Sequence, residues 1–240
     1  MKAILLSAGL GTRLRPLTLS TPKCLVPILG RPLMAYWLEQ LDAAGVEEFI
    51  VNTHYLPQAV ADFIVASPWR DRVRLVHEER LLGTGGTLLA NKAFLENDDI
   101  FVAHADNLCL CDFSDFFAAH AKHPKECLMT MMLFNTETPQ SCGIVELDKQ
   151  ERVIAFHEKT PNPSSRLANA AVYIMSADFI RWLTEAFPYA DTLDISTQVI
   201  PRLMKRIYTW PTNGYLRDIG TPESLAAAEA DMRRAPKGHP

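Results

Sequence analysis

The chain has 240 residues, of which 48% are hydrophobic and 22% charged, and its formal net charge is −4. This composition is typical of a soluble globular protein with a full hydrophobic core, and the acidic balance argues against general nucleic-acid binding, which usually needs a basic chain. The chain has five cysteines, an odd number that argues against a disulfide framework. It has no apolar run near the ~20 residues that span a bilayer, so we expect a cytoplasmic protein without membrane contact.

The predicted elements of the first half alternate between strands and helices. Apolar periodicity predicts strands at 2–6, 49–52, 73–76 and 100–103, and helices at 33–44, 57–65 and 84–95. Gly45 follows the first helix and Pro57 opens the second, as is usual at helix ends and starts. Strands and helices at this spacing indicate βαβ units and a parallel sheet.

The second half has a different pattern. Closely spaced apolar stretches at 128–134, 143–147, 153–157 and 170–175 predict strands that join the same sheet in antiparallel fashion. Helices are expected at 177–186, 195–205 and 221–233, with a strand at 206–210 and a loose tail at 235–240. We therefore expect one domain over residues 1–234.

The first predicted strand leads into a glycine-rich turn with basic neighbours. Gly9 and Gly11 allow a sharp turn whose successive backbone N–H groups suit phosphate oxygens. Thr12 adds a hydroxyl, Arg13 a planar fork that binds phosphate through two bonds, and Lys23 a mobile charge. The alternative is a simple tight turn, but such a turn has no need of the Arg and Lys. The spacing fits neither a P-loop nor the G-x-G-x-x-G dinucleotide turn.

Two further features in the first half are candidates for ligand binding. A second glycine-rich turn at 82–87 opens a helix, whose N-terminal amides are expected to face a ligand, although a packed turn is an equal alternative. Asp106 follows the carboxyl end of a buried strand, where ligands of open α/β sheets gather. A carboxylate there is a candidate Mg²⁺ ligand, with a helix cap as the alternative.

The combined pattern resembles a known family. Residues 6–14, Leu-Ser-Ala-Gly-Leu-Gly-Thr-Arg-Leu, followed by Thr-Pro-Lys-Cys-Leu-Val-Pro at 21–27, resemble the signature of the sugar-1-phosphate nucleotidyltransferases, and the likeness extends to about residue 230. The resemblance implies a three-layer, Rossmann-like α/β fold with a mixed, mainly parallel central sheet. It also implies a nucleotide-binding half at about 1–110, a sugar-phosphate-binding half at about 111–234, and transfer of a nucleotidyl group from an NTP to a sugar 1-phosphate with Mg²⁺.

The resemblance also assigns roles to individual residues. It implies that four residues carry catalysis, two of which, Asp106 and Asp218, bind the metal; the four are Arg13, Lys23, Asp106 and Asp218. It implies nucleotide contacts for Leu6, Ala8, Gly9, Gly11, Thr12, Glu78, Gly83 and Thr84. It implies sugar-phosphate contacts for Gly143, Glu158, Lys159 and Asn169. Ala105 and Ala171 stand where the family has glycine.

Base and sugar are inferred from finer features. Glu78 or Glu79 occupies the place of the base-reading residue, and a carboxylate there suits the N–H groups of guanine. Since the Gln and the Pro-x-Gly-Leu turn that are typical of relatives reading uracil and thymine are absent, GTP is favoured. The short, single-domain build and the Leu-Gly-Thr-Gly-Gly turn at 82–86 resemble the guanylyltransferases for mannose 1-phosphate and D-glycero-D-manno-heptose 1-phosphate, so the resemblance implies one of these two acceptors. UTP-dependent transfer to N-acetylmuramate 1-phosphate, cytidylyl transfer to a non-sugar phosphate and an inactive regulatory subunit remain alternatives, and a homodimer stays open.

Overall fold

The structure is a computed structural model that describes residues 1–234, so the tail predicted at 235–240 lies outside the described residues. The strands are β1 (Lys2–Leu6), β2 (Pro27–Ile28), β3 (Arg31–Pro32), β4 (Glu48–Thr53), β5 (Val73–His77), β6 (Ile100–His104), β7 (Asn107–Leu110), β8 (Met129–Asn135), β9 (Gly143–Leu147), β10 (Val153–Glu158), β11 (Leu167–Met175), β12 (Ile207–Pro211) and β13 (Tyr215–Asp218). The helices are α1 (Leu33–Ala43), α2 (Pro57–Ala66), α3 (Thr84–Ala90), α4 (Lys92–Leu95), α5 (Phe113–His120), α6 (Phe179–Ala186) and α7 (Pro222–Arg234). Within this part of the chain, none of the helices has the length and apolar character needed to cross a membrane.

The chain divides into two compact units, each built from separate segments. Unit 1 comprises Met1–Lys2, Leu82–Val102 and Ser114–Asn213, and unit 2 comprises Ala3–Leu81, Ala103–Phe113 and residues 214–234. The sequence-based division into halves near residue 110 stays a prediction.

Unit 2 combines a parallel sheet with a small antiparallel ribbon. Its sheet has the strand order β1-β4-β5, and β4 and β5 pair in parallel, with Phe49 opposite Val73 and Thr53 opposite His77. The ribbon pairs β7 with β13. A buried cluster packs the ribbon against α1 and α7; its members are Ile28, Leu33, Leu108, Ile219 and Ala228. The indole Nε1 of Trp37 in α1 donates to the carbonyl of Asn107 at 2.8 Å, which fixes the start of β7.

Unit 1 is built on antiparallel pairing. β9 lies between β10 and β11, and β8 pairs with β11 on one side and with β12 on the other. The antiparallel pairing predicted for β8, β9, β10 and β11 is confirmed. The next strand, β12, runs parallel to β8. The β11–β8 register shifts between Asn169 and Tyr173, and Ala171 in that interval has a φ of 55°.

The predicted strands and helices are mostly confirmed, with two corrections. The helix expected over 84–95 is two helices separated at Asn91, whose side-chain amide donates to the Thr87 carbonyl at 2.9 Å and competes with the backbone pattern. The helix expected over 195–205 is a π-helical turn at Ile195–Val199 followed by a 3₁₀ turn at Ile200–Arg202, because Pro201 has no N–H to continue an α-helix. The sequence patterns also missed α5 and the four short strands β2, β3, β7 and β13.

Candidate active site

All four predicted catalytic residues meet in unit 2. The Lys23 ammonium donates to Asp106 Oδ2 at 2.7 Å and to Asp218 Oδ1 at 3.2 Å, and Arg13 Nη2 lies 3.5 Å from Asp218 Oδ2. We call Arg13, Lys23, Asp106 and Asp218 the Lys23 cluster. The Lys23 side chain is 9% exposed whereas Arg13 and Asp218 are 66% and 55% exposed, so the cluster has one buried end and one end open to solvent.

The glycine-rich turn positions Lys23 by close packing. Gly11 has a φ of +60°, and a Cβ there would lie 3.0 Å from Thr18 Cγ2 and 3.2 Å from Lys23 Cβ. Thr18 also donates its hydroxyl to the Gly11 carbonyl at 2.7 Å. Glycine at position 11 therefore meets both a conformational and a steric need, and it lets the turn pack directly against the stem of Lys23.

The β7–β13 ribbon positions the two aspartates. Asp106 immediately precedes β7, and Asp218 is paired with Asn107, the first residue of that strand. This register brings two carboxylates that are far apart in sequence to the same ammonium. Gly220 completes the arrangement, because a Cβ there would lie 2.6 Å from both Arg13 Nη2 and Asp218 Oδ2.

Charge in the Lys23 cluster favours an ionised Asp106. Burial by itself raises the pKa of this carboxyl, but the Lys23 ammonium and the His104 imidazole outweigh burial and hold the pKa below its ordinary value of 3.8. Asp106 is thus a carboxylate at neutral pH.

The chemistry of the cluster fits a hard divalent cation. Asp106 and Asp218 each place a carboxylate oxygen beside the Lys23 ammonium, and carboxylate oxygens are the ligands that Mg²⁺ prefers. Nowhere in residues 1–234 do three or more His, Cys, Asp or Glu side chains form a group able to hold a metal alone. A Mg²⁺ ion on the two aspartates would therefore complete its coordination with water and substrate phosphate oxygens, as this ion usually does.

A second polar group in unit 2 contains Glu78. Glu78 is buried, with 6% of the residue exposed, whereas Glu79 is exposed. Glu78 Oε1 accepts from Asn52 Nδ2 at 2.9 Å. Asn52 Oδ1 in turn accepts from the Ser7 N–H at 2.7 Å, and Ser7 stands between Leu6 and Ala8, which are both buried. The first glycine turn and Glu78 are therefore linked through Asn52. The sequence analysis did not identify Asn52 as a site residue. The feature that could have identified it is a polar amide near the end of an otherwise apolar strand.

The remaining residues of the first turn lie at the surface of unit 2. Gly9 and Thr12 are exposed, and a Cβ at Gly9 would meet nothing within 4 Å. This open backbone leaves room for a ligand to approach the turn, and the nucleotide contacts assigned to these residues stay predictions.

The second glycine-rich turn, in unit 1, differs from the expectation. The N–H groups of Gly85 and Gly86 both donate to the Leu193 carbonyl, at 2.8 and 3.0 Å, so the expectation that they face a ligand is wrong. A Cβ on Gly83 would lie 2.5 Å from the same carbonyl oxygen, and Thr84 donates its hydroxyl to Asp194 Oδ2 at 3.1 Å. Close packing against Leu193 accounts for these glycines, and nucleotide contacts of Gly83 and Thr84 stay predictions.

The four predicted sugar-phosphate residues lie together on unit 1, at one end of β10, β9 and β11. Gly143 is paired with Glu158, and a Cβ on Gly143 would lie 2.8 Å from Glu158 Oε2. The Lys159 ammonium is 3.6 Å from Glu158 Oε1. Asn169 follows Ala168, which is paired with Ile144, so Asn169 lies beside the same strand ends. This arrangement presents a carboxylate, an ammonium and an amide at one place.

The Asn169 amide is oriented by two hydrogen bonds. Its Nδ2 donates to the Tyr173 hydroxyl at 2.8 Å, and its Oδ1 accepts from the Ala171 N–H at 2.9 Å. Because a backbone N–H can only donate, the orientation of the amide is determined. Ala171, the residue whose N–H is bonded, adopts a φ of 55°, a backbone conformation that favours glycine.

The chain is similar to known proteins along nearly its whole length. The family model described as nucleotidyl transferase matches residues 2–235. The chain is 34% identical over 237 residues to a mannose-1-phosphate guanylyltransferase of Mycobacterium tuberculosis, covering 97% of this chain and 64% of the relative. It is 30% identical over 244 residues to a putative mannose-1-phosphate guanyltransferase of Sulfolobus acidocaldarius, covering 99% and 65%. The chain therefore spans just under two thirds of the length of these relatives.

Solved structures share the fold. A putative glucose-1-phosphate thymidylyltransferase from Bacillus anthracis, in complex with sucrose, has a TM-score of 0.86 at 22% identity and covers 99% of this chain and 97% of its own. HddC from Yersinia pseudotuberculosis, complexed with GMP-PN, has a TM-score of 0.78 at 24% identity, with coverage of 96% and 99%. These likenesses confirm the predicted α/β fold with a mixed, mainly parallel central sheet.

Proposed function

The chain belongs to the nucleotidyl transferase family, and from this membership we propose that it transfers a guanylyl group from GTP to a sugar 1-phosphate and releases pyrophosphate. Mannose 1-phosphate is the first candidate acceptor, because the curated relatives are named for it. D-glycero-D-manno-heptose 1-phosphate is the second, from the sequence resemblance. We also propose a cytoplasmic location, and a homodimer stays a prediction.

The convergence of Lys23, Asp106 and Asp218 is the observation that carries the proposal. In the proposed reaction an oxygen of the sugar phosphate attacks the α-phosphorus of GTP, a new P–O bond forms, and the bond to pyrophosphate breaks. The attacking phosphate is already anionic near pH 7, so the chain need not supply a general base. The barrier is mainly electrostatic, because two anions must approach each other, and positive charge held in place lowers it.

The cationic residues of the Lys23 cluster have separate roles in this proposal. Lys23 is the cation proposed to bridge the α-phosphate and the incoming sugar phosphate. Arg13, the more exposed of the two, is proposed to bind the leaving pyrophosphate through its planar fork.

The two aspartates would hold Mg²⁺. When bound, this ion supplies positive charge that neutralises and orients the phosphate oxygens. Asp218 has the second task of pairing with Arg13, which keeps the guanidinium at the edge of the cluster. Asp106 keeps the Lys23 ammonium in place at 2.7 Å.

The base and the acceptor are read by two other groups of residues. Glu78 is proposed to accept from the ring N–H and the exocyclic amino group of guanine, since a carboxylate is an acceptor with several lone pairs. Glu158 and Asn169 are proposed to bind sugar hydroxyls, and Lys159 to bind the sugar phosphate. The burial of Glu78 supports this choice over Glu79, because a recognition carboxylate is stronger away from water.

Pyrophosphate release tests the proposal. The purified chain is given each of ATP, CTP, GTP and UTP with mannose, manno-heptose, glucose and N-acetylmuramate 1-phosphates and with choline phosphate. We expect turnover with GTP and a manno-configured acceptor. Activity only with UTP and N-acetylmuramate 1-phosphate, or only with CTP and choline phosphate, would overturn the proposed substrates. Nucleotide binding without any turnover would instead identify a regulatory subunit.

A further inference from the structure

We propose that Asn52 is the positioning residue for base recognition, because its amide ties the Glu78 carboxylate to the backbone of Ser7 in the first glycine turn. This inference rests on the proposed function, in which Glu78 reads guanine. Asn52 itself is only 3% exposed and contacts no base; it acts through Glu78.

The hydrogen bonds of Asn52 determine which way its amide points. The Ser7 N–H can only donate, so the atom that receives it at 2.7 Å is the amide oxygen. The amide nitrogen therefore faces Glu78 and donates to Oε1 at 2.9 Å. The Ser7 hydroxyl also donates to the Asn52 carbonyl. Asn52 thus has a single orientation, and this orientation requires an acceptor at position 78.

Glu78 is held at its backbone as well. Its N–H donates to the Thr53 carbonyl at 2.8 Å, and its carbonyl accepts from His54 Nδ1 at 2.7 Å. Residues 52–54 therefore contact Glu78 at its side chain, its N–H and its carbonyl. The two backbone contacts hold the main chain at position 78, and the Asn52 amide, together with burial, holds the carboxylate. A fixed acceptor discriminates between bases better than a mobile one.

The same network explains how the site would reject other bases. Asn52 donates to one oxygen of the Glu78 carboxylate. A carboxylate accepts through several lone pairs, and guanine presents two donors on one edge, the ring N–H and the exocyclic amino group. Inosine lacks the exocyclic amino group, so ITP offers only the ring N–H. If Asn52 positions Glu78 for both donors, discrimination between GTP and ITP depends on Asn52 even though Asn52 does not touch the base.

Asn52→Asp is the direct test. It keeps the size of the side chain and an acceptor for the Ser7 N–H, but it replaces the donor to Glu78 with a carboxylate that repels it. We expect the ratio of kcat/KM for GTP to that for ITP to fall at least 10-fold, with the KM for the sugar phosphate changed less than twofold. Asn135→Asp, the same charge change at an exposed strand end, should leave the ratio unchanged.

A double variant separates positioning from folding. In Asn52→Asp with Glu78→Gln, the amide and the carboxylate exchange places, so the hydrogen bond between them is restored while the charge moves from position 78 to position 52. We expect the Tm to return toward that of the wild type while the GTP/ITP ratio stays low. Recovery of both the Tm and the ratio would overturn the positioning role, as would an unchanged ratio in the single variant.

Nucleotide binding by calorimetry keeps this test independent of turnover. If the wild type binds GTP more tightly than ITP but turns over no sugar phosphate, the proposed function fails, and the same variants are compared by their ratio of dissociation constants. If the wild type binds neither nucleotide, both proposals are overturned.

Discussion

Replacing Lys23 with Met removes the ammonium of the Lys23 cluster and keeps most of the apolar stem. The ammonium lies 2.7 Å from Asp106 and 3.2 Å from Asp218, so its loss leaves two carboxylates facing the bound phosphates. Removal of one preorganised charge contact at a reacting phosphate costs about 3–4 kcal/mol, so kcat/KM should fall about 10²–10³-fold.

The same variant makes a prediction about stability and its pH dependence. Asp106 is 27% exposed, between a surface and a buried ion pair, so we expect a loss of about 2 kcal/mol at pH 7. The pKa of Asp106 lies below 3.8 in the wild type, so its contribution is present above that pH and is lost as the pH falls through the folded-state pKa. Since the variant lacks the ammonium that lowers this pKa, the difference in unfolding free energy between the two proteins should shrink below about pH 3.8.

The assay pairs urea denaturation at several pH values with pyrophosphate release. Lys122→Met, at an exposed position, is the matched control and should match the wild type in both measurements. A Lys23→Met protein with kcat/KM within threefold of the wild type would refute the placement of Lys23 at the reacting phosphates. A stability difference that stays constant with pH would refute the coupling of Lys23 to Asp106.

Three further predictions concern single side chains. Asp218→Asn should raise the Mg²⁺ concentration needed for half-maximal pyrophosphate release about 10-fold, because a neutral amide is a weaker ligand for this hard cation; an unchanged requirement would exclude Asp218 as a ligand. Ala171→Gly should increase the free energy of unfolding in urea by up to about 1 kcal/mol, because glycine adopts the observed φ of 55° without strain, and a loss would contradict the strain argument. Glu78→Gln should lower the ratio of kcat/KM for GTP to that for ITP, whereas Glu79→Gln should not. Equal effects of the two substitutions would contradict the choice of the buried Glu78 as the residue that reads the base.

Much of the fold could be predicted because the elements that fill the core have regular apolar spacing. The strands β1, β4, β5 and β6 are short apolar runs, and α1 has an apolar face at helical spacing that ends before Gly45. Such patterns can be recognised from the local sequence alone. An α-helix was wrongly predicted at 195–205 because the apolar residues there recur at helical spacing. Pro201 lacks an N–H and interrupts the helical hydrogen bonds. The short strands β2 and β3 have two residues each, too few for any period to be recognised.

The second glycine turn shows a limit of motif reasoning of a different kind. A glycine-rich turn that opens a helix predicts free amides, but whether the amides are free depends on what packs over them. Here the Leu193 carbonyl, more than a hundred residues away in sequence, accepts from Gly85 and Gly86. Glycine is needed in both cases for close backbone approach, so composition alone cannot distinguish a ligand phosphate from a neighbouring carbonyl.

The Lys23 cluster was predictable in its members but not in its geometry, and the reason lies in one strand pairing. Asp106 and Asp218 are 112 residues apart in number, and they reach one ammonium because β7 and β13 pair with Asn107 opposite Asp218. Each of these strands is four residues long and packs on a core shared with α1 and α7, so its position depends on tertiary contacts. A slip of one residue in this register would turn Asp218 to the other face of the ribbon, away from Lys23. The ribbon, rather than the glycine turn, therefore sets whether the acidic and basic residues of the candidate active site meet.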